Sequence, residues 1–361
     1  MFLTNENVYY YLIERNLINN KGVIEGDYLV QPLTTRNNIL KVYTNTGTPL
    51  FIKQAAQDES SIRILQREAG TYKFFKNNNT LFSTLSTKLP AFLDYDADRN
   101  ILVTELKVNT TSLHEYYMLT KRFAPELAAE QAAVLSAFHI ALPDTTNLSF
   151  LPKTLPWAFI INDHDPYKVF PGNKMNGEII SLIQNNSALK NAILQLKDEW
   201  QVTTFIHGDI KWTNFLKSNK PNETSLSLID WELADIGDPL WDVAGLLQSY
   251  ISAWVFSFNN ATPHQYTLNQ DMQAFDIQQM QPSLQALLST YFRLQNIAGD
   301  NLKKAAIKTI KFTAARIIQT SIEGVMFNPQ IQANNIRCIQ LASNILKDPE
   351  NAFRQIVGIK L

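Results

Sequence analysis

The chain is poor in cysteine: Cys338 is the only one in 361 residues. An intramolecular disulfide is therefore impossible, and so is a cysteine-based zinc site. A lone free thiol suits a reducing compartment. Net charge is just as scarce, with 32 basic residues against 33 acidic ones and a formal balance of −1. Nothing global draws the chain towards nucleic acid or an anionic membrane. Long hydrophobic runs are missing too. The N-terminus carries Glu6, Glu14 and Arg15 where a signal peptide needs a basic start and an unbroken apolar core. The most apolar later stretch, 240–258, holds Asp242, Gln248, Ser249 and Ser252, so it reads as a buried helix rather than a membrane span. There is no internal repeat and no low-complexity tract. The expectation is a soluble cytoplasmic protein without an obligate protein partner.

What the chain does have is core-forming material, with 45% hydrophobic and 18% charged residues. That is enough for two domains or one two-lobed unit. Residues 5–18 have helical spacing. Strand-like runs follow at 28–33, 39–43 and 50–54, the last two joined by the turn signal Asn45-Thr46-Gly47. Residues 59–76 put Ile62, Leu65, Ala69, Tyr72 and Phe75 on one helical face. Gly70 weakens that helix by about 1 kcal/mol relative to alanine. Two more strands are expected at 91–95 and 101–106, completing an antiparallel sheet with one inserted helix.

Beyond 107–111 the composition turns helical, with helices predicted at 112–120 and 125–141, the second opening on Pro125. Residues 142–176 carry Pro143, Pro152, Pro156, Pro166 and Pro171, and read as a long irregular segment, a kind of loop that is often functional. A helix over 178–199 follows. After Asp242 only helices and connectors are expected, with 259–281 as the mobile part. The fold class is α+β: an N-terminal lobe over 1–106, a hinge over 107–111 and a mainly helical lobe over 112–361.

The chemistry gathers between 205 and 242. An apolar lead-in, Phe205-Ile206, delivers His207-Gly208-Asp209, and Asn214 follows. A second apolar run, 226–229, delivers Asp230. Two short strands would hold two acids and an amide at adjacent ends of a hairpin-like turn, able to place a hard divalent cation beside a base. Magnesium on a nucleotide needs only one or two protein oxygens, which Asn214 and Asp230 can supply. Asp209 is then free to orient and accept the proton of an attacking hydroxyl. Lys211 reads either as a cation over the transferring phosphoryl group or as a solvent-facing loop lysine. Lys53, in the strand LFIKQA, reads as a phosphate-binding lysine or one that merely snorkels; Glu68 reads as its holder or as a surface residue. His139 faces a helix interior and is expected to be structural. Asp163-His164-Asp165 is too crowded for a helix or strand face and reads as a polar loop.

Taken in this order, these residues resemble the aminoglycoside phosphotransferase and choline kinase-like family, which has the protein-kinase fold. The resemblance runs from Tyr28 to about Gly324. It is carried by Lys53, Glu68, the strand and linker at 102–106, His207-Gly208-Asp209 with Asn214, and Ile229-Asp230-Trp231-Glu232. It implies a two-lobed kinase-like fold whose first lobe binds ATP. It further implies Asp209 as base, Asn214 and Asp230 as magnesium ligands, Lys53 as the phosphate lysine and Glu68 as its partner. The backbone at Glu105 and Leu106 falls where the family binds adenine, and Asp238 and Asp242 fall in a segment that braces the catalytic loop.

Some features depart from the family. The hairpin tip at 34–38 has no glycine, so the phosphates would rely on backbone amides helped by Thr34, Thr35 or Arg36. Lys211 stands where protein kinases carry lysine, which leaves room for a peptide hydroxyl beside a small-molecule one. Only a dozen residues separate Asp230 from Asp242, too few for a long phosphorylatable loop, so a constitutively assembled site is expected. The acceptor is expected between the catalytic loop, the 142–176 segment and the C-terminal helices. There Lys303, Lys304, Lys308, Lys311 and Arg316 fall in one helical run, either a solvated face or a preference for a neutral or anionic acceptor. A kinase-like module without activity is the remaining alternative.

Overall fold

A computed structural model describes residues 2–34, 37–142, 147–169, 174–220, 225–258, 276–325 and 330–361. Thr35 and Arg36 of the hairpin tip lie outside the described residues, as do Pro143, Phe170, Pro171 and residues 259–275. The chain forms two compact units. The first comprises Met1–Leu113, Thr146–Leu151 and Thr213–Ala234; the second comprises His114–Thr145, Pro152–Trp212 and Asp235–Leu361.

The first unit is built on a five-stranded antiparallel sheet. Its strands are β1 (Leu29–Thr34), β2 (Asn38–Tyr43), β3 (Leu50–Gln54), β4 (Phe92–Asp96) and β5 (Ile101–Glu105), in the order β1-β2-β3-β5-β4. Alternation buries Leu40, Val42, Leu50, Ile52, Ile101 and Val103 on one face, where they form a core with Val8, Tyr11 and Leu12 of the helix Val8–Glu14. The helix Glu59–Asn77 starts where the Asp58 side chain accepts a hydrogen bond from Ser61 N. The glycine in that helix has a packing reason: a Cβ on Gly70 would stand 2.8 Å from the Phe150 ring. A second sheet, of β6 (Thr110–Ser112), β8 (Phe215–Ser218) and β9 (Leu226–Leu228), has the order β6-β8-β9.

The second unit is mostly helical. The helix Pro125–Phe138 packs against Ile277–Leu294, and Pro239–Phe256 packs against Asp300–Gly324. Its two strands, β7 (Thr204–Ile206) and β10 (Asp235–Gly237), pair antiparallel.

Three expectations are corrected. The two apolar lead-ins do not form a hairpin with each other: β7 pairs with β10, and β9 pairs with β8. The stretch expected as one helix over 178–199 is two, Lys174–Asn185 and Ser187–Glu199, because the Asn186 side chain caps the second by accepting from Leu189 N. The 142–176 segment is not wholly irregular; it includes short helical turns at Trp157–Ile160, Ile161–Asp163 and Pro166–Val169. Their apolar residues Ala158, Phe159 and Ile161 are buried, so packing overrides the proline-rich composition.

Candidate active site

The first unit carries a charge cluster centred on Lys53. Strand β3 turns Lys53 inward, and its ammonium lies 2.8 Å from Glu68, 3.1 Å from Asp230 and 2.9 Å from Glu232. Burial works against the Lys53 charge, but the three carboxylates outweigh it and push the lysine's pKa above its ordinary range. Glu68 is oppositely placed. Burial, together with the neighbouring Asp230 and Glu232, outweighs Lys53 and pushes the Glu68 carboxyl up to about 7. One ammonium is thus shared among three acids, and the cluster carries surplus negative charge.

Oxygens of Glu68, Asp230 and Glu232 lie within 4.8 Å of one another. An all-carboxylate set with surplus negative charge fits a hard divalent cation such as magnesium. The backbone of Asp230 is left-handed, at φ 70° and ψ 58°, a conformation that aspartate tolerates better than bulky residues. Two contacts hold it there. The Trp231 ring is buried 4.9 Å from the ring of Phe75, and Ile229 N donates to Asn214 O at 3.0 Å. Buried Asn214 is thereby tied to the residue that precedes Asp230.

The second unit carries the His207-Gly208-Asp209 loop. Gly208, at φ 80°, allows the sharp turn after β7. Asp242, in the first turn of the helix Pro239–Phe256, accepts from His207 N at 2.7 Å and Gly208 N at 3.0 Å. His139 closes this hub, with one ring nitrogen 3.1 Å from Asp242 and the other 2.8 Å from the Tyr291 hydroxyl. These contacts give His139 a structural place. Asp209 stands between two cations: Lys211 Nζ lies 2.6 Å from Oδ2 and Arg316 Nη2 lies 3.3 Å from Oδ1. Burial pushes its carboxyl up, but Arg316, Lys211 and His207 outweigh that and hold it down at about 2.

Glu105 and Leu106 sit at the end of β5 with their N–H groups committed: Glu105 N donates to Ala91 O at 2.9 Å and Leu106 N to Pro49 O at 2.8 Å. A nucleotide base pairing with these two residues would have to use their carbonyl oxygens. The Asp163-His164-Asp165 loop assembles no cluster; Asp163 pairs with Lys197 and Asp165 accepts from Tyr167 N. Among the described residues Glu68, Asp230 and Glu232 are the one group of three or more His, Cys, Asp or Glu side chains close enough together to share a metal ion.

Several roles are not legible in the sequence. Glu232 stands there only as part of the Ile229–Glu232 motif, yet it joins the Lys53 cluster. Asp235 fixes the 152–154 segment, accepting from Lys153 N at 2.7 Å and Thr154 N at 2.9 Å. Arg316 stands in the sequence only as part of a basic helical run. Much of that run is spent in ion pairs, Lys303 with Glu350, Lys308 with Asp238 and Lys311 with Glu199, so it gives no argument for an anionic acceptor. No local sequence signal links Arg316 to Asp209, 107 residues away.

An antiparallel sheet with an inserted lysine–glutamate pair, followed by a helical unit with a braced His-Gly-Asp loop, is the plan of a kinase-like phosphotransferase. The phosphotransferase enzyme family matches residues 37–282, more than half of the chain, and the protein belongs to that family. It is a phosphotransferase. No curated protein matches the chain in sequence. Solved structures share its fold. The choline kinase from Cryptosporidium parvum Iowa II is 14% identical with a TM-score of 0.57, covering 96% of each chain. The streptomycin–ATP–APH(2'')-IIa ternary complex is 15% identical with a TM-score of 0.52, covering 93% of this chain and 97% of the other. The ADP-bound aminoglycoside phosphotransferase APH(2'')-Ib is 16% identical with a TM-score of 0.51, covering 98% of this chain and all of the other (100%). Among the described residues no helix is long and apolar enough to cross a membrane.

Proposed function

We propose that the protein transfers the terminal phosphoryl group of ATP to a hydroxyl of a small molecule. The observation that supports this most is the pairing of Lys53 with Glu68, Asp230 and Glu232, a cationic phosphate ligand embedded in an acidic, cation-fitting cluster. Asp209 orients the acceptor hydroxyl and takes its proton as the new oxygen–phosphorus bond forms and the bond to the departing ADP oxygen breaks. Asn214 and Asp230 would hold magnesium, which when bound offsets phosphate charge. Lys53 binds the phosphates and Glu68 fixes the lysine. Thr35 and the backbone at Glu105 and Leu106 complete the nucleotide contacts. In this reading residues 1–106 are the nucleotide-binding lobe, 107–111 the hinge and 112–361 the catalytic and acceptor-binding lobe.

A second reading, in which the acceptor is a serine or threonine of a peptide, rests on Lys211, which stands where protein kinases carry lysine. One assay separates the two: magnesium-ATP is supplied with a panel of hydroxyl metabolites and a panel of peptides, and phosphate transfer is followed. Transfer to a small molecule is expected, reduced about 10²–10⁴-fold in Asp209→Asn. Full transfer by Asp209→Asn would remove Asp209 from the reaction, and transfer to peptides alone would select the second reading.

A further inference from the structure

Arg316 reaches the catalytic loop from a distant helix, Asp300–Gly324, and its side chain is only 4% exposed. It grips three consecutive residues. Nη1 donates to Gly208 O at 3.2 Å, while Nη2 donates to Ile210 O at 2.9 Å and to Asp209 Oδ1 at 3.3 Å. The guanidinium also lies 5.2 Å from the centre of the Trp241 ring, and the Trp241 indole N–H donates to the same Gly208 carbonyl at 3.1 Å. Room for this arrangement comes from Gly245, where a Cβ would stand 2.4 Å from Ile210 O and 3.3 Å from Arg316 Nη2. The grip is kept although the buried Arg316 Nε has no partner among the described residues, a cost that packing alone would not require.

The other cation on Asp209 is of a different kind. Lys211 holds Oδ2 from a side chain that is 43% exposed, on a flexible stem. A planar, buried guanidinium with several fixed bonds stays put, and a solvated ammonium exchanges readily.

We infer that Arg316 is the positioning residue of the transfer reaction, holding Asp209 through Oδ1 and the flanking carbonyls so that Oδ2 meets the acceptor hydroxyl when Lys211 gives way. The inference rests on the proposed role of Asp209 as proton acceptor. Titratable and permanently charged groups around Asp209 are Lys211 and His207 on its own loop, Arg316 and Glu323 on the helix Asp300–Gly324, and Asp242 behind the loop backbone. Arg316 combines burial with bonds to both the carboxylate and the loop carbonyls beside it. Its removal frees the loop backbone and the carboxylate together.

The test uses the full chain with magnesium-ATP and water as the acceptor, following phosphate release in Arg316→Ala, Arg316→Lys and Asp209→Asn, with Lys304→Ala as a surface control on the same helix. Arg316→Ala is expected to lose on the order of 10² in kcat with little change in the KM for ATP, as displacement of a reacting group does. Added guanidinium should restore part of that loss in Arg316→Ala and none in Asp209→Asn. A readout without turnover is the carboxyl carbon-13 titration of Asp209, assigned by its disappearance in Asp209→Asn: it should move to higher pH in Arg316→Ala and less far in Arg316→Lys. An Arg316→Ala protein with wild-type kcat, or with an unmoved Asp209 titration, overturns the inference. So does a loss of kcat that only tracks the unfolded fraction and ignores guanidinium. Unchanged turnover in Asp209→Asn would instead overturn the underlying role of Asp209.

Discussion

At the residue scale the most telling group is Lys53, because a single ammonium answers three carboxylates. Replacing it by methionine leaves buried Glu68 without a cation. A loss of about 3 kcal/mol in urea denaturation is expected, less than an isolated buried charge would give because Asp230 and Glu232 are partly solvated. Adding Glu68→Gln to Lys53→Met should recover part of it, and additive losses would mean that the pair is not coupled. Glu68 and Asp209 make opposite pH predictions. Glu68, raised to about 7, contributes stability fully present below its unfolded value near pH ~4.3 and lost as pH rises towards 7. Asp209, lowered to about 2, contributes stability present above pH ~3.9 and lost as pH falls towards 2. Glu68→Gln should therefore flatten the stability curve on the first interval and Asp209→Asn on the second, measured by chemical denaturation at a series of pH values. Lys53, Glu68, Asp209, Asn214 and Asp230 could be picked out as candidates from residue type and order. Arg316 could not, because its bonds to the loop depend on helix packing that no local pattern encodes.

At the element scale, the sheet was the most legible part. Period-two alternation and the Asn45-Thr46-Gly47 turn predicted β3 at its observed bounds, and β1, β2, β4 and β5 within a residue or so. Strands β6, β8 and β10 escaped, since short runs such as Thr110–Ser112 have no periodicity to read and exist because of what they pair with. The glycines inside helices make the same point. Propensity alone says that Gly70→Ala should stabilise its helix by about 1 kcal/mol. The Phe150 ring, 2.8 Å from the added Cβ, reverses the expectation. We expect Gly70→Ala to lower stability by about 1 kcal/mol. Gly245→Ala meets backbone rather than a side chain that can turn away, so a larger loss of about 2–3 kcal/mol, with slowed turnover, is expected. Thermal denaturation of both variants checks the order.

At the scale of the whole molecule, the antiparallel-sheet first unit and helical second unit carry the plan that composition and periodicity had indicated, and the family match covers residues 37–282. The acceptor stayed illegible, because much of the basic run that bore on its charge is held in ion pairs. If the Lys53 cluster receives magnesium with a nucleotide, saturating ligand should stabilise the fold, by about 2.7 kcal/mol at a hundredfold excess over Kd. Asp230→Asn should abolish the shift in melting temperature, and an undiminished shift would place the cation elsewhere.

The hub around Asp242 bears on the order in which the protein assembles. Its carboxylate binds loop amides 34 and 35 positions upstream and a histidine 103 positions upstream, and Arg316 closes on the same loop across 106–108 positions. Contacts of such long sequence separation form after local helices and hairpins, since the chain must first give up the entropy of closing large loops. The loop at 207–211 should therefore be among the last parts of the second unit to settle. In refolding experiments helical circular dichroism is expected to return before phosphotransfer activity.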